Sequence, residues 1–145
     1  MAEGLKERIR ADLNAARRER DRLRTVLLTT ILSDIRNREI EVGHELSDEE
    51  TQEVLQRGIK RRREAAEQMR AGGRVELAEK EEQEAEVLAS YLPAPLTEEE
   101  VRRLVREAIA GGATTLGAVM GRIMPEIRGR FDGKEANRIA REELG

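Results

Sequence analysis

Apolar residues recur along this chain at steps of three and four, the spacing that gathers side chains on one side of an α-helix. Leu5, Ile9, Leu13 and Ala16 form a narrow stripe and predict a first helix over 4–18. Asp21 is placed to cap a second helix, to about Glu41, with Leu23, Val26, Leu27, Thr30, Ile31 and Ile35 inward. Because Leu27, Leu28, Ile31 and Leu32 make its middle apolar on more than one side, it is the expected centre of the N-terminal part. Ser47 with Glu50 three residues on reads as a capping box. It opens a third helix to about Ala71, with Val54, Leu55, Gly58, Ile59, Ala65, Ala66 and Met69 inward. A fourth helix, about Val75 to Tyr91, puts Leu77, Ala78, Ala85, Leu88 and Leu92 on one face and crowds glutamates onto the rest.

The pattern breaks at Tyr91-Leu92-Pro93-Ala94-Pro95-Leu96, where two prolines stop any helix arriving from the N-terminal side. Beyond it the helices are shorter and glycine is commoner. Thr97 with Glu100 reads as a second capping box, Thr115 caps a short middle helix, and Asp132 caps the last. Pro125 is expected to bend or shorten the middle helix. The expected architecture is all-α: an N-terminal domain of long antiparallel helices over 1–92, a Pro-rich hinge at 93–96, and a small three-helix bundle over 97–145.

Composition agrees with thin aliphatic cores. Charged residues make up 39% of the 145, aromatic ones 1%. The net charge of −3 argues against bulk, non-specific nucleic-acid binding. Charge is uneven, however: residues 1–24 carry eight Lys/Arg against five Asp/Glu, and residues 75–92 six Glu against one Lys. There is no cysteine, hence no disulfide, thiol nucleophile or cysteine metal site. No 18-residue apolar run and no signal core occur, so a cytoplasmic location is expected.

Catalytic chemistry finds little footing. His44 lies in a polar turn with no second histidine or cysteine to share a metal. The glutamates from Glu79 to Glu86 sit on successive helix positions turned by about 100°, so they do not converge on one ion. Ser33, Ser47 and Ser90 lack triad partners, and the glycine pairs at 72–73 and 111–112 match no phosphate-loop pattern. The basic segments are more informative. Arg17, Arg18, Arg20, Arg22 and Arg24 bracket the first joint, and Lys60-Arg61-Arg62-Arg63 forms a basic turn. Arg122, Arg128, Arg130, Lys134, Arg138 and Arg141 ring the C-terminal part. Such cations suit phosphate. They also suit glutamates on neighbouring turns, as at Arg63–Glu67 or Arg103–Glu107.

Two C-terminal stretches, Gly117-Ala118-Val119-Met120-Gly121-Arg122-Ile123-Met124 and Gly129-Arg130-Phe131-Asp132-Gly133-Lys134-Glu135-Ala136-Asn137, resemble the signature of the GatB/YqeY family. Asp12-Leu13, Arg20-Asp21, Leu23-Arg24, Glu39-Ile40-Glu41, Arg62-Arg63-Glu64, Ala71-Gly72-Gly73-Arg74 and Tyr91-Leu92-Pro93 extend the likeness over the chain, which resembles a free-standing YqeY-like protein. The resemblance implies two all-helical domains. The second is similar to the tail of the B subunit of glutamine-dependent tRNA amidotransferase, a carbon–nitrogen ligase in which that tail is associated with holding tRNA. The ligase's catalytic parts lie elsewhere, so its reaction is not expected of this chain unaided, and no cofactor is implied. Phe131 departs from the pattern, standing where a small residue is expected; it either stacks on a base or plugs the bundle.

The expected function is therefore a non-catalytic module that binds tRNA or another structured RNA through Gly117, Gly121, Arg122, Arg128, Arg130, Gly133 and Lys134. The alternative is a protein-interaction or self-association module, docking through the acidic fourth helix or the apolar second one.

Overall fold

The computed structural model describes residues 4–145, which form seven helices and no strand. They are α1 (Leu5–Glu19), α2 (Arg22–Val42), α3 (Asp48–Ala71), α4 (Val75–Ala89), α5 (Glu98–Ala110), α6 (Leu116–Ile127) and α7 (Gly133–Leu144). The chain divides into two compact units, Met1–Leu92 and Pro93–Gly145.

Local chemistry explains most helix ends. Asp21 accepts from the Arg24 N–H, and Ser47 and Glu50 complete a reciprocal capping box. Thr97 makes only half of the expected box: it accepts from the Glu100 N–H, while the Glu100 carboxylate meets the Thr97 hydroxyl rather than the backbone. Asp132 accepts from the Lys134 N–H, and Glu135 pairs with Arg138 instead of assisting the cap. Gly43 and Gly73 supply positive-φ exits from α2 and α3. Arg20 does the same between α1 and α2, with φ 57°, and among the described residues it is the one non-glycine residue to do so. That conformation costs an L-residue roughly 1–2 kcal/mol.

In the first unit α1 packs on α2, α3 on α4, and α2 on both α3 and α4. Leu27, Leu28, Ile31 and Ile35 of α2 meet Ile9, Leu13, Leu55, Ile59 and Leu88 in one core. Full burial of such a side chain stabilises by roughly 1.5–3 kcal/mol. Gly58 lets the helices close: a Cβ there would lie 3.2 Å from Ile31 Cδ1 and 3.3 Å from Leu88 Cδ1. Val26, Thr30 and Leu77 do not join this core as expected. On α4 the 100° turn between neighbours sends Ala78 fully inward and leaves Leu77 47% exposed.

In the second unit α5, α6 and α7 contact one another around Val101, Val105, Val119, Ile123, Ile127, Ala136 and Ile139. Pro125 does not end α6: it lies in the last turn, and the helix runs on to Ile127. Phe131 packs against this core as a plug. The Pro-rich stretch at 93–96 is bonded to the second unit: the Leu96 N–H donates to the Arg130 carbonyl (2.8 Å), and Arg130 Nε donates to the Ala94 carbonyl (3.0 Å).

Candidate functional site

α6 carries the most unusual surface in the second unit. Val119, Ile123 and Ile127 turn its inner side to the core. Gly117, Ala118, Gly121 and Pro125 fall on the side away from it and are exposed. A Cβ added at Gly117 or Gly121 would meet nothing within 4 Å, and neither residue has a positive φ. Among the described residues of the second unit, neither packing nor backbone conformation calls for glycine there. Pro125, four residues after Gly121, has no N–H to give the Gly121 carbonyl. The result is a helix side of bare backbone with an acceptor lacking its helical donor.

The loop from α6 to α7 follows. Arg128 and Lys134 bracket it, both exposed, and neither side chain has a hydrogen bond or ion pair among the described residues. Gly133 is the first residue of α7, and a Cβ there would also meet open space. The Asp132 side chain accepts from the Lys134 N–H and its carbonyl from the Ala136 N–H, so the Gly133 and Glu135 N–H groups lack a helical acceptor and give the end of α7 a positive potential.

Two expected site residues also make bonds within the second unit. Arg122 Nη1 donates to the Ala108 carbonyl (3.1 Å), closing the C-terminus of α5, and Gly111 leaves room for that guanidinium. Arg130 is tied to Ala94 as described. The remaining arginines divide sharply. Arg138 bonds Glu98, Glu135 and Glu142, and Arg102 bonds Glu98 and Glu142, forming one network with Arg106 and Glu143. Hydrogen bonds from Arg138 and Arg102 hold the Glu98 carboxyl below its ordinary value, and those from Arg102 and Arg138 do the same for Glu142. The pairs expected at Arg63–Glu67 and Arg103–Glu107 do not form; Arg70 reaches Glu82 and Arg62 reaches Glu84 across α3 and α4. Burial and then Glu81 push the Glu84 carboxyl up.

The first unit holds two polar clusters that periodicity did not single out. Lys6 is buried, its ammonium 2.8 Å from Glu39 and 3.0 Å from Glu45. Glu39 also accepts from the Leu46 N–H, so the cluster pins α1 to the α2–α3 connection. Its signal in the sequence is that Lys6 falls in register with Ile9 and Leu13. The Tyr91 hydroxyl donates to Asp12, and the Arg8 guanidinium lies 5.6 Å from the ring centroid. Burial, then the Asp12 carboxylate, raise the Tyr91 phenol above its ordinary range. No three carboxylate or histidine side chains among the described residues group to hold a metal ion.

The apolar middle of α2, expected as a docking face, is mostly covered within the first unit, with Leu32 partly buried. Leu27, Leu28 and Ile31 are at most 1% exposed, because three helices cover what one stripe would leave open. No helix among the described residues is long and apolar enough to cross a membrane.

These features define a small, two-unit helical protein whose distinctive surfaces are backbone-rich and basic. The chain belongs to the family of Yqey-like proteins, whose model matches residues 6–144. It is similar to the altered inheritance of mitochondria protein 41, mitochondrial, of Pyrenophora tritici-repentis (strain Pt-1C-BFP). The two are 30% identical over 145 residues, covering 95% of this chain and 80% of that relative.

Proposed function

We propose that this protein is a non-catalytic accessory module that binds tRNA or a similarly folded RNA through the second unit. The observation that carries the reading is the bare side of α6. Gly117 and Gly121 each forgo the helix stability that alanine would supply, with no return inside the chain. Glycine there suits a ligand that must approach the backbone closely. RNA minor-groove surfaces are shallow and lined with 2′-hydroxyls, which can donate to an acceptor such as the Gly121 carbonyl. Arg128 and Lys134 supply phosphate contacts, and the α7 N-terminus with Gly133 can receive a phosphate oxygen. Arg122 and Arg130 shape this surface rather than contact the RNA. Recognition by shape fits the composition, since one Tyr and one Phe, both packed inward, leave no platform for stacking bases.

The relation to an amidotransferase tail is part of this reading: the module holds RNA for chemistry done by another protein. A protein-docking role through α4 has less support, because Glu82 and Glu84 are engaged by Arg70 and Arg62. The test is binding of the purified chain to unfractionated tRNA across a salt series, with an Arg128→Glu/Lys134→Glu variant beside it. Binding that weakens with salt and is lost in the variant is expected. Equal binding by the variant would remove the second-unit face.

A further inference from the structure

The N-terminal unit carries an arginine cluster that the second-unit face does not use. Between residues 16 and 24 there are five arginines, Arg17, Arg18, Arg20, Arg22 and Arg24, against Glu19 and Asp21. Asp21 is occupied: it caps α2 and lies 3.5 Å from Arg24 Nε. Arg17, Arg18, Arg20 and Arg22 are exposed, and their side chains make no hydrogen bond or ion pair among the described residues.

Three features make this arrangement unfavourable for the isolated chain. Like charges crowd one tight corner; other exposed arginines, such as Arg36 and Arg103, also lack a partner among the described residues, but nowhere else do five arginines fall within eight positions. Arg22 and Arg24 stand in the first turn of α2, which has no acidic residue, where the helix dipole disfavours cations. Arg20 holds a left-handed backbone that glycine or asparagine would adopt more easily. Arg17 and Arg18 do favour the C-terminus of α1, but that accounts for only two of the five. Strain and unmatched charge at one exposed corner are the marks of a site completed by its ligand.

We infer that the α1–α2 corner is a second anchoring point for the phosphate backbone of a structured RNA; the inference rests on the RNA-binding reading above. Polyanion contact needs cations and no apolar centre. A protein partner or a membrane would need one; residues 17–22 contain no apolar side chain, and the exposed Val26 one turn further along α2 is a single residue.

The full chain, an Arg17→Gln/Arg18→Gln/Arg20→Asn/Arg22→Gln variant and the Arg128→Glu/Lys134→Glu variant are titrated with labelled tRNA from low to high KCl. Asn at position 20 tolerates the left-handed backbone, and helicity by circular dichroism verifies each fold. Four lost phosphate contacts reduce the slope of log K against log salt by about 3 and weaken binding about tenfold or more. An unchanged slope and affinity in the corner variant, with binding lost in the other, would overturn the corner and leave the second-unit face standing. The reverse pattern keeps the corner and removes that face. Absence of tRNA binding by the unmodified chain overturns both. If the chain instead binds phosphatidylserine vesicles, and the corner variant does not, the corner is a membrane site and the RNA assignment fails.

Discussion

Replacing Gly117 and Gly121 together with alanine should raise the stability of the second unit and lower its affinity for RNA. The opposite signs make the experiment decisive. Both glycines lie in α6 with ordinary helical φ, and an added Cβ meets nothing within 4 Å at either. No clash subtracts from the gain and no packing adds to it, so the effect on stability is that of backbone entropy alone. For Gly121, near the helix centre, that is roughly 0.5–1 kcal/mol; for Gly117, in the first turn, it is smaller. The sum is about 1 kcal/mol, which corresponds to roughly 4–8 °C in the melting of a unit this small. Circular dichroism melts of the full chain measure it. In tRNA titrations the same methyl groups hold the helix backbone off the ligand. Loss of a single hydrogen-bonded contact of about 1 kcal/mol weakens affinity roughly fivefold. A less stable variant would mean that the glycines serve the fold. A more stable variant with unchanged tRNA affinity would refute the claim that the bare side of α6 is a contact surface.

Other outcomes follow from the cores and the charge clusters. Leu88→Ala removes a fully buried side chain that faces Gly58 and should destabilise the first unit by about 2–5 kcal/mol, read as a lower urea midpoint. Because Tyr91 is the one tyrosine, phenolate absorbance reports it alone. Its folded-state value is raised, so the native phenol keeps its proton where the unfolded chain has lost it, and stability should fall as pH climbs past 10.0. Asp12→Asn should bring ionisation to lower pH; an unmoved titration would remove the Asp12 contribution. Glu98 and Glu142 have lowered values, so their contribution is present above 4.5 and is lost as pH falls below it. Melting of the second unit should therefore weaken in acid and lose part of that pH dependence at high salt, where exposed pairs are screened.

Much of this architecture is legible in the chain. Each predicted helix is present with ends shifted by a residue or two, because caps such as Asp21, Ser47 and Thr115 act on the first turn and need no tertiary partner. Periodicity was less able to separate neighbours on one stripe. Leu77 and Val26 differ from Ala78 and Leu27 only in angle, and the angle of contact depends on where the next helix lies. The candidate site was half legible. Gly117, Gly121, Arg122, Arg128, Gly133 and Lys134 are exposed, and Arg130 is half-buried; Arg122 and Arg130 each also donate to a carbonyl, that of Ala108 and of Ala94. A guanidinium's partner 14 or 36 positions away leaves no trace in local spacing.

The sequence by itself determined the helices, their caps, the break at Pro93 and Pro95, and the absence of cysteine chemistry, since all of these act over a few residues. Tertiary structure decided which arginines are free. Arg102, Arg106 and Arg138 meet glutamates brought from other helices, while Arg17, Arg18, Arg20, Arg22, Arg128 and Lys134, like Arg36, Arg57 and Arg103, meet none among the described residues. A charge's availability depends on which opposite charges lie within a few ångströms, and only packing sets those distances.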